Sequence, residues 1–184
     1  MALKAMLHRI NRRVTRARLR RRGLVVGPDF KVTGLLPLVR NAGEIMVGKR
    51  VLVHGSRSPV RLNAASGTIV IGDDVFLNTG VIIYSAARVE IGKDTKIADD
   101  CVVSDTNFHA VHQGQSVRPR PIKIGRNVWL GRQAVVMPGV EIGDHSVIAA
   151  GSVVYDNVPA KQVWRGNPAT FYKPVKAEDD FARE

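Results

Sequence analysis

The sequence predicts an all-β fold, a solenoid of short strands separated by tight corners, on three observations. Aliphatic residues return at every sixth position: Ile71, Leu77 and Ile83, then, after a two-residue slip, Ile91, Ile97 and Val103, and later Ile124, Leu130, Val136, Ile142, Ile148 and Val154. Glycine follows the aliphatic position at Gly48, Gly72, Gly92, Gly125, Gly131 and Gly143. A second apolar or small residue stands two places before it, as at Ile69, Val75, Val81, Thr95, Cys101, Val128 and Ser146. Alternation of period two inside a period of six gives strands with one inward face, whereas a helix wants apolar residues at i, i+3, i+4 and i+7. Stacked coils then bury each aliphatic column against its own copy one turn away.

Composition agrees with this and bounds the rest. The chain has 184 residues, enough for one domain with a real core. Aromatics are 5% of it, so the core is built from Val, Ile and Leu. No apolar run approaches the roughly 20 residues that span a bilayer, and no secretory signal is visible. A single cysteine, Cys101, excludes intrachain disulfides and points to a reducing compartment. The expected localisation is cytoplasmic, with a peripheral position at the inner face of the membrane as an option.

Residues 1–22 hold nine of the 28 Lys and Arg and no acid, while 23–173 carry 17 basic against 12 acidic residues. The net charge of +12 therefore belongs mostly to one short segment. In it Leu3, Met6, Leu7, Ile10, Val14 and Ala17 fall at helical spacing with arginines elsewhere on the wheel, which predicts a basic amphipathic helix over 1–22. Its apolar stripe docks on the solenoid or a neighbouring subunit, or lies on anionic lipid. The absence of any aromatic in the segment argues against nucleic acid.

The repeat opens weakly with Val47 and Val53 and breaks at "VVSDTNFHAVHQGQSVRPRPIKIG", residues 102–125. From Val103 to Ile124 is 21 residues, three more than the three repeats of a full turn, so something protrudes there. The break contains His109 and His112. Cys101 falls in the inward column and reads as a small buried hydrophobe rather than a nucleophile. The last residues, 173–184, form an acidic tail.

The whole pattern, over about residues 41–172, resembles the hexapeptide-repeat acyltransferases. That resemblance implies a left-handed parallel β-helix with three strands per turn over 23–172, a catalytic loop at about 104–121, and a homotrimer with its site between adjacent subunits. "DTNFHAVH" resembles the loop of the sugar and xenobiotic O-acetyltransferases in this family, which implies that His109 is the general base. His112 stands where that pattern often has Asp, and Ala110 where it has Pro. The same comparison implies a positioning role for Asn78; Asn107 and His112 are expected contacts to the acceptor, with a solvent-facing His112 as the alternative. "IGRNVWLGRQAVVMPGVEIGDHSVIAAGSVVYDNVPAKQVWRGNPA" is similar to the acetyl-CoA-binding half of the family, which implies cofactor contacts at Trp129, Arg132, Ala150, Lys161 and Arg165.

The chemistry suits the residue type. A sugar hydroxyl is a poor nucleophile, and an imidazole that titrates near neutrality accepts its proton and passes it to the departing thiolate. The expected activity is acetyl-CoA-dependent O-acetylation of a sugar hydroxyl, of a bacterial cell-surface polysaccharide or its precursor, by direct transfer. The alternatives are N-acetylation of a nucleotide-linked amino sugar, a non-enzymatic β-helix subunit, and a gamma-class carbonic anhydrase. For the last, His109, His112 and His145, the third expected at an exposed corner, would have to hold zinc. The His-x2-His spacing differs from the His-x4-His of those enzymes, so no metal is expected.

Overall fold

The computed structural model describes residues 17–110 and 112–183. The described residues wind through six coils of three strands. The first coil is β1 (Leu24–Val26), β2 (Lys31–Gly34) and β3 (Leu38–Asn41). The second is β4 (Glu44–Val47), β5 (Leu52–Gly55) and β6 (Arg61–Ala64). The third is β7 (Thr68–Ile71), β8 (Phe76–Leu77) and β9 (Ile82–Ser85), and the fourth β10 (Arg88–Ile91), β11 (Lys96–Ile97) and β12 (Val102–Ser104). The fifth is β13 (Ile122–Ile124), β14 (Trp129–Leu130) and β15 (Val135–Val136). The sixth is β16 (Glu141–Ile142), β17 (Val147–Ile148) and β18 (Val153–Val154). A closing hairpin follows, β19 (Gln162–Gly166) and β20 (Ala169–Pro174).

The first strands of successive coils pair into one six-stranded sheet, the third strands into another, and the second strands into an eight-stranded sheet that takes in β19 and β20. Among the described residues the pairings between coils are parallel, and β20 runs antiparallel on β19. This is the expected left-handed parallel β-helix. Registers are in line, so Ile45, Ile69, Val89 and Ile122 form one buried column. Each such side chain contributes about 1.5–3 kcal/mol through burial. Inward polar residues are satisfied by the next coil: Thr95 Oγ1 donates to Gly125 O at 2.9 Å and Ser146 Oγ to Pro159 O at 2.8 Å.

The corners explain the rest of the pattern. Between the first and second sheets, Asp29, Arg50, Asp74, Asp94, Asn127, His145 and Lys161 stack at φ of 52–62°. This left-handed conformation is most accessible to Asp and Asn among residues with a Cβ. Gly92 lies two residues before such a position, and a Cβ there would meet the Gly125 carbonyl at 2.5 Å.

Three features add to what the repeat count alone gives. The solenoid starts at Leu24, a full coil before Val47; the Leu35-Leu36-Pro37 corner breaks the six-residue count that Val26 and Val32 begin. The break at 102–125 is not a turn with three extra residues. Val103 and Val136 are partners in adjacent coils, so the chain takes 21 residues to cross from Val103 to Ile124 where the next coil crosses from Val136 to Ile142 in six. A count of 21 lies so near a full turn that length alone does not separate a coil from a long loop. At the start, residues 17–21 form a helical turn whose Leu19 is buried in the same core as Leu24 and Val26. Most of the amphipathic segment, residues 1–16, lies outside the described residues. Among the described residues no helix is long and apolar enough to cross a membrane.

Candidate functional site

The long excursion leaves the edge between the third and first sheets. Arg120 N–H donates to Asp105 O at 2.8 Å, which closes the mouth of the loop and makes 106–119 an Ω-type excursion. Inside it, Thr106 O accepts from Ser104 Oγ at 2.9 Å, and His109 N–H donates to Asn107 O at 2.7 Å across Phe108, whose φ is 63°. The Phe108 ring packs edge-on against Tyr84 of β9, with centroids 4.6 Å apart. His109 is thus carried on a tight turn at the root of the loop and is exposed. It lines a cavity of about 430 Å³ with Asn107, Ala110, Gly114, Gln115, Ser116, Val117 and Arg118. Asn107 shares this cavity with His109, while exposed His112 does not line it and accepts from Gln115 N–H at 3.2 Å through its carbonyl.

The edge between the second and third sheets gathers most of the other expected residues. Asn78 N–H donates to Ile97 O, Ala98 N–H to Leu130 O, Gly131 N–H to Ile148 O and Ala149 N–H to Trp164 O, all at 2.8–3.0 Å. This ladder places Asn78, Arg132 and Ala150 along one line, with Arg165 at its end in β19. Arg132 pairs with Asp99 at 3.4 Å, and Arg165 lies 3.6 Å from the Tyr172 ring centre. Asn78 Oδ1 accepts from Thr79 N–H at 2.8 Å, which fixes the carboxamide. Trp129 stands outward on the second sheet between Lys96 and Val147, 48% exposed. Asn78 and Trp129 share a cleft of about 380 Å³ with Phe76, Lys96, Ala98 and Arg183. Lys96 and Arg183 were absent from the sequence expectation, since neither lies in a motif.

Within one chain, then, His109 and Asn78 line separate clefts on opposite edges of the third sheet. Lys161 is apart from both. It sits on the edge between the first and second sheets and pairs with Asp179 at 2.8 Å.

His145 corrects an expectation. It is not at an exposed corner but buried, 1% accessible. The C-terminal tail returns over it: Asn127 Nδ2 donates to Phe181 O at 2.7 Å, Arg183 N–H donates to Asn127 Oδ1 at 2.9 Å, and Arg183 Nη2 donates to His145 O at 2.8 Å. The ring lies 2.7 Å from Arg126 Nη2 and 2.9 Å from Asn127 Nδ2. Burial, with the nearby Arg126 charge, lowers its pKa below the usual histidine range. His145 is thus on a different edge from His109 and His112, and the three rings do not converge within a chain. Cys101 is fully buried, 3.0 Å from Gly131 O, and burial pushes its thiol up to about 12, which withholds the thiolate an acyl-enzyme needs.

With this geometry in view, the likenesses to known proteins take on meaning. Residues 121–156 match the family described as bacterial transferase hexapeptide (six repeats). The chain is 35% identical over 114 residues to galactoside O-acetyltransferase of Escherichia coli K12, covering 60% of this chain and 56% of that one. It therefore spans little more than half of that relative's length. It is 32% identical over 153 residues, 76% of each chain, to the putative lipopolysaccharide biosynthesis O-acetyl transferase WbbJ of the same organism. In fold it is similar to AntD, an N-acyltransferase from Bacillus cereus, solved with dTDP-4-amino-4,6-dideoxyglucose and coenzyme A (TM-score 0.72, 18% identity, 88% of this chain and 90% of that one). A six-residue repeat in a parallel β-helix, together with a 32% identical relative matched over three quarters of its length, makes this chain a member of the bacterial hexapeptide-repeat transferase family.

Proposed function

We propose that the protein transfers the acetyl group of acetyl-CoA to a hydroxyl of a carbohydrate, a cell-surface polysaccharide or its precursor, with His109 as general base. The observation that carries this reading is an exposed imidazole on a closed loop at the point where the regular coil is broken. The acceptor hydroxyl gives its proton to the His109 ring as its oxygen bonds to the thioester carbonyl carbon. The tetrahedral adduct then expels the thiolate, which takes the proton back, leaving an O-acetyl sugar and free coenzyme A. The similarity to a putative lipopolysaccharide O-acetyl transferase over three quarters of both chains supports the acceptor class. The buried Cys101 thiol supports direct transfer without an acyl-enzyme.

The active unit is a homotrimer in this reading. His109 and Asn78 lie on different edges of one chain, so a site that uses both takes one residue from each of two copies. Acetyl-CoA then lies along the edge that carries Asn78, Arg132, Ala150 and Arg165, with Trp129 beside it. Lys161 is the weakest of the assigned contacts, because it sits on another edge and is neutralised by Asp179.

The test is coenzyme A release with a panel of sugars and nucleotide-linked amino sugars. His109→Ala is expected to lower turnover by about 10²–10⁴-fold, and unchanged turnover would remove His109 from the mechanism. Mixing inactive His109→Ala and Asn78→Ala chains is expected to restore part of the activity; none would return if each site were built within one chain.

A further inference from the structure

We propose that Asp105 is the positioning residue of the acyl-transfer loop, its carboxylate taking the place of the coil corner that the loop displaces. The inference rests on the reading of His109 as the base.

Two irregularities of the sequence meet here. In the regular part of this edge, each corner donates backbone N–H groups to a carbonyl of the next coil: Ala42 and Gly43 N–H to Ala64 O at 2.8 and 3.1 Å, and Ala65 N–H to Ser85 O at 2.8 Å. The following corner, Ser85-Ala86-Ala87, is the two-residue slip between Ile83 and Ile91. Above it the long loop leaves the coil, the Asp105 carbonyl accepts from Arg120 N–H, and Ala86 and Ala87 N–H donate to no backbone carbonyl among the described residues. Asp105 supplies the acceptors instead. Its Oδ1 accepts from Ala86 N–H at 2.8 Å, and its Oδ2 accepts from Ala87 N–H at 2.8 Å and from the Ser85 hydroxyl at 2.9 Å.

The side chain is fully buried, a costly placement for a carboxylate unless its oxygens are paired, as they are. The same residue holds the loop shut, since its carbonyl accepts from Arg120 N–H at 2.8 Å. Four residues on, the His109 ring makes no hydrogen bond among the described residues. Its place is therefore set by the loop backbone, which is tied down at Asp105 and by the Phe108 ring on Tyr84, the residue preceding Ser85. A base whose ring has no partner of its own depends on such an anchor, because catalysis is sensitive to misplacement of about 1 Å.

The experiment compares wild type with Asp105→Asn, a near-isosteric change that sets an amide N–H₂ against backbone donors. A positioning role predicts a fall in kcat of about 10–100-fold, an unchanged KM for acetyl-CoA, and faster hydrogen exchange at Ala86 and Ala87 than at other corners. Wild-type kcat well below the melting temperature overturns the proposal, even if the thermal midpoint drops, because the residue would then be structural only. Should Asp105→Asn fail to fold, Ser85→Ala decides: a lowered kcat at constant KM supports the anchor and a wild-type kcat overturns it. His109→Ala separates the two readings. If it is inactive while Asp105→Asn is normal, the anchor alone falls; if it keeps full turnover, both fall.

Discussion

His109 and His145 stand on different edges of the same prism and have opposite fates. His145 is buried under the returning tail, its ring near Arg126 and Asn127 and its carbonyl bonded to Arg183. His109 is exposed on a loop and its ring is bonded to nothing described. A repeat position commits a side chain to the stack, where every polar atom must find a partner. A break in the repeat releases a side chain from that demand and leaves it available for proton transfer. The difference lies in the backbone around each residue rather than in the imidazole.

The largest effect expected from this contrast is on turnover. His109→Ala should cost about 10²–10⁴-fold in kcat with little change in thermal midpoint, as an exposed ring contributes little packing. Substitution within the stack should do the reverse: Ile148→Ala, in a fully buried column, should lower stability by about 2–5 kcal/mol in urea unfolding. His145→Ala should fall between, at about 1–3 kcal/mol, because it removes a buried ring acceptor that faces the Arg126 and Asn127 donors.

Titration sharpens the same contrast. The His145 pKa is depressed from 6.5 by burial, then by the Arg126 charge, with Lys161 and Arg183 acting in the same direction and Asp144 opposing. The unfolded ring then binds a proton that the folded one refuses. Its stabilising contribution is complete above about pH 6.5 and is lost progressively as pH falls below that value toward the lowered folded one. A plot of thermal midpoint against pH should show this slope in wild type and a shallower one in His145→Gln. The smallest effect belongs to the surface pair Lys161–Asp179, whose carboxylate side is 92% exposed. Lys161→Ala should leave the thermal midpoint within error at moderate salt. A large loss of acetyl-CoA affinity in that variant would instead restore Lys161 to the cofactor path.

Legibility followed the same division. Ile69, Ile71, Leu77, Ile97 and Ile148 announced their burial, since a period of six with inward alternation has one stacked solution. The break around His109 was visible as a fault in that period. Its length could not be read from the count, because 21 residues resemble a turn as readily as a loop; only the family resemblance implied a loop at about 104–121. The first coil was obscured by Leu35-Leu36-Pro37. Asp105 opens the DTNFHAVH stretch, yet nothing in it marks an anchor, although the slip between Ile83 and Ile91 was in plain view, because only the fold sets that slip under the loop.

The sequence by itself determined the repeating local conformation, the inward columns and the place where the pattern fails, since these depend on neighbours within a few residues and on identical contacts repeated coil after coil. Tertiary structure alone decided which edge each functional group occupies, that the tail seals His145, and that a buried carboxylate tethers the loop of His109. Those contacts join residues 19 to 56 positions apart whose pairing no local preference encodes, and they exist only once the coils have stacked.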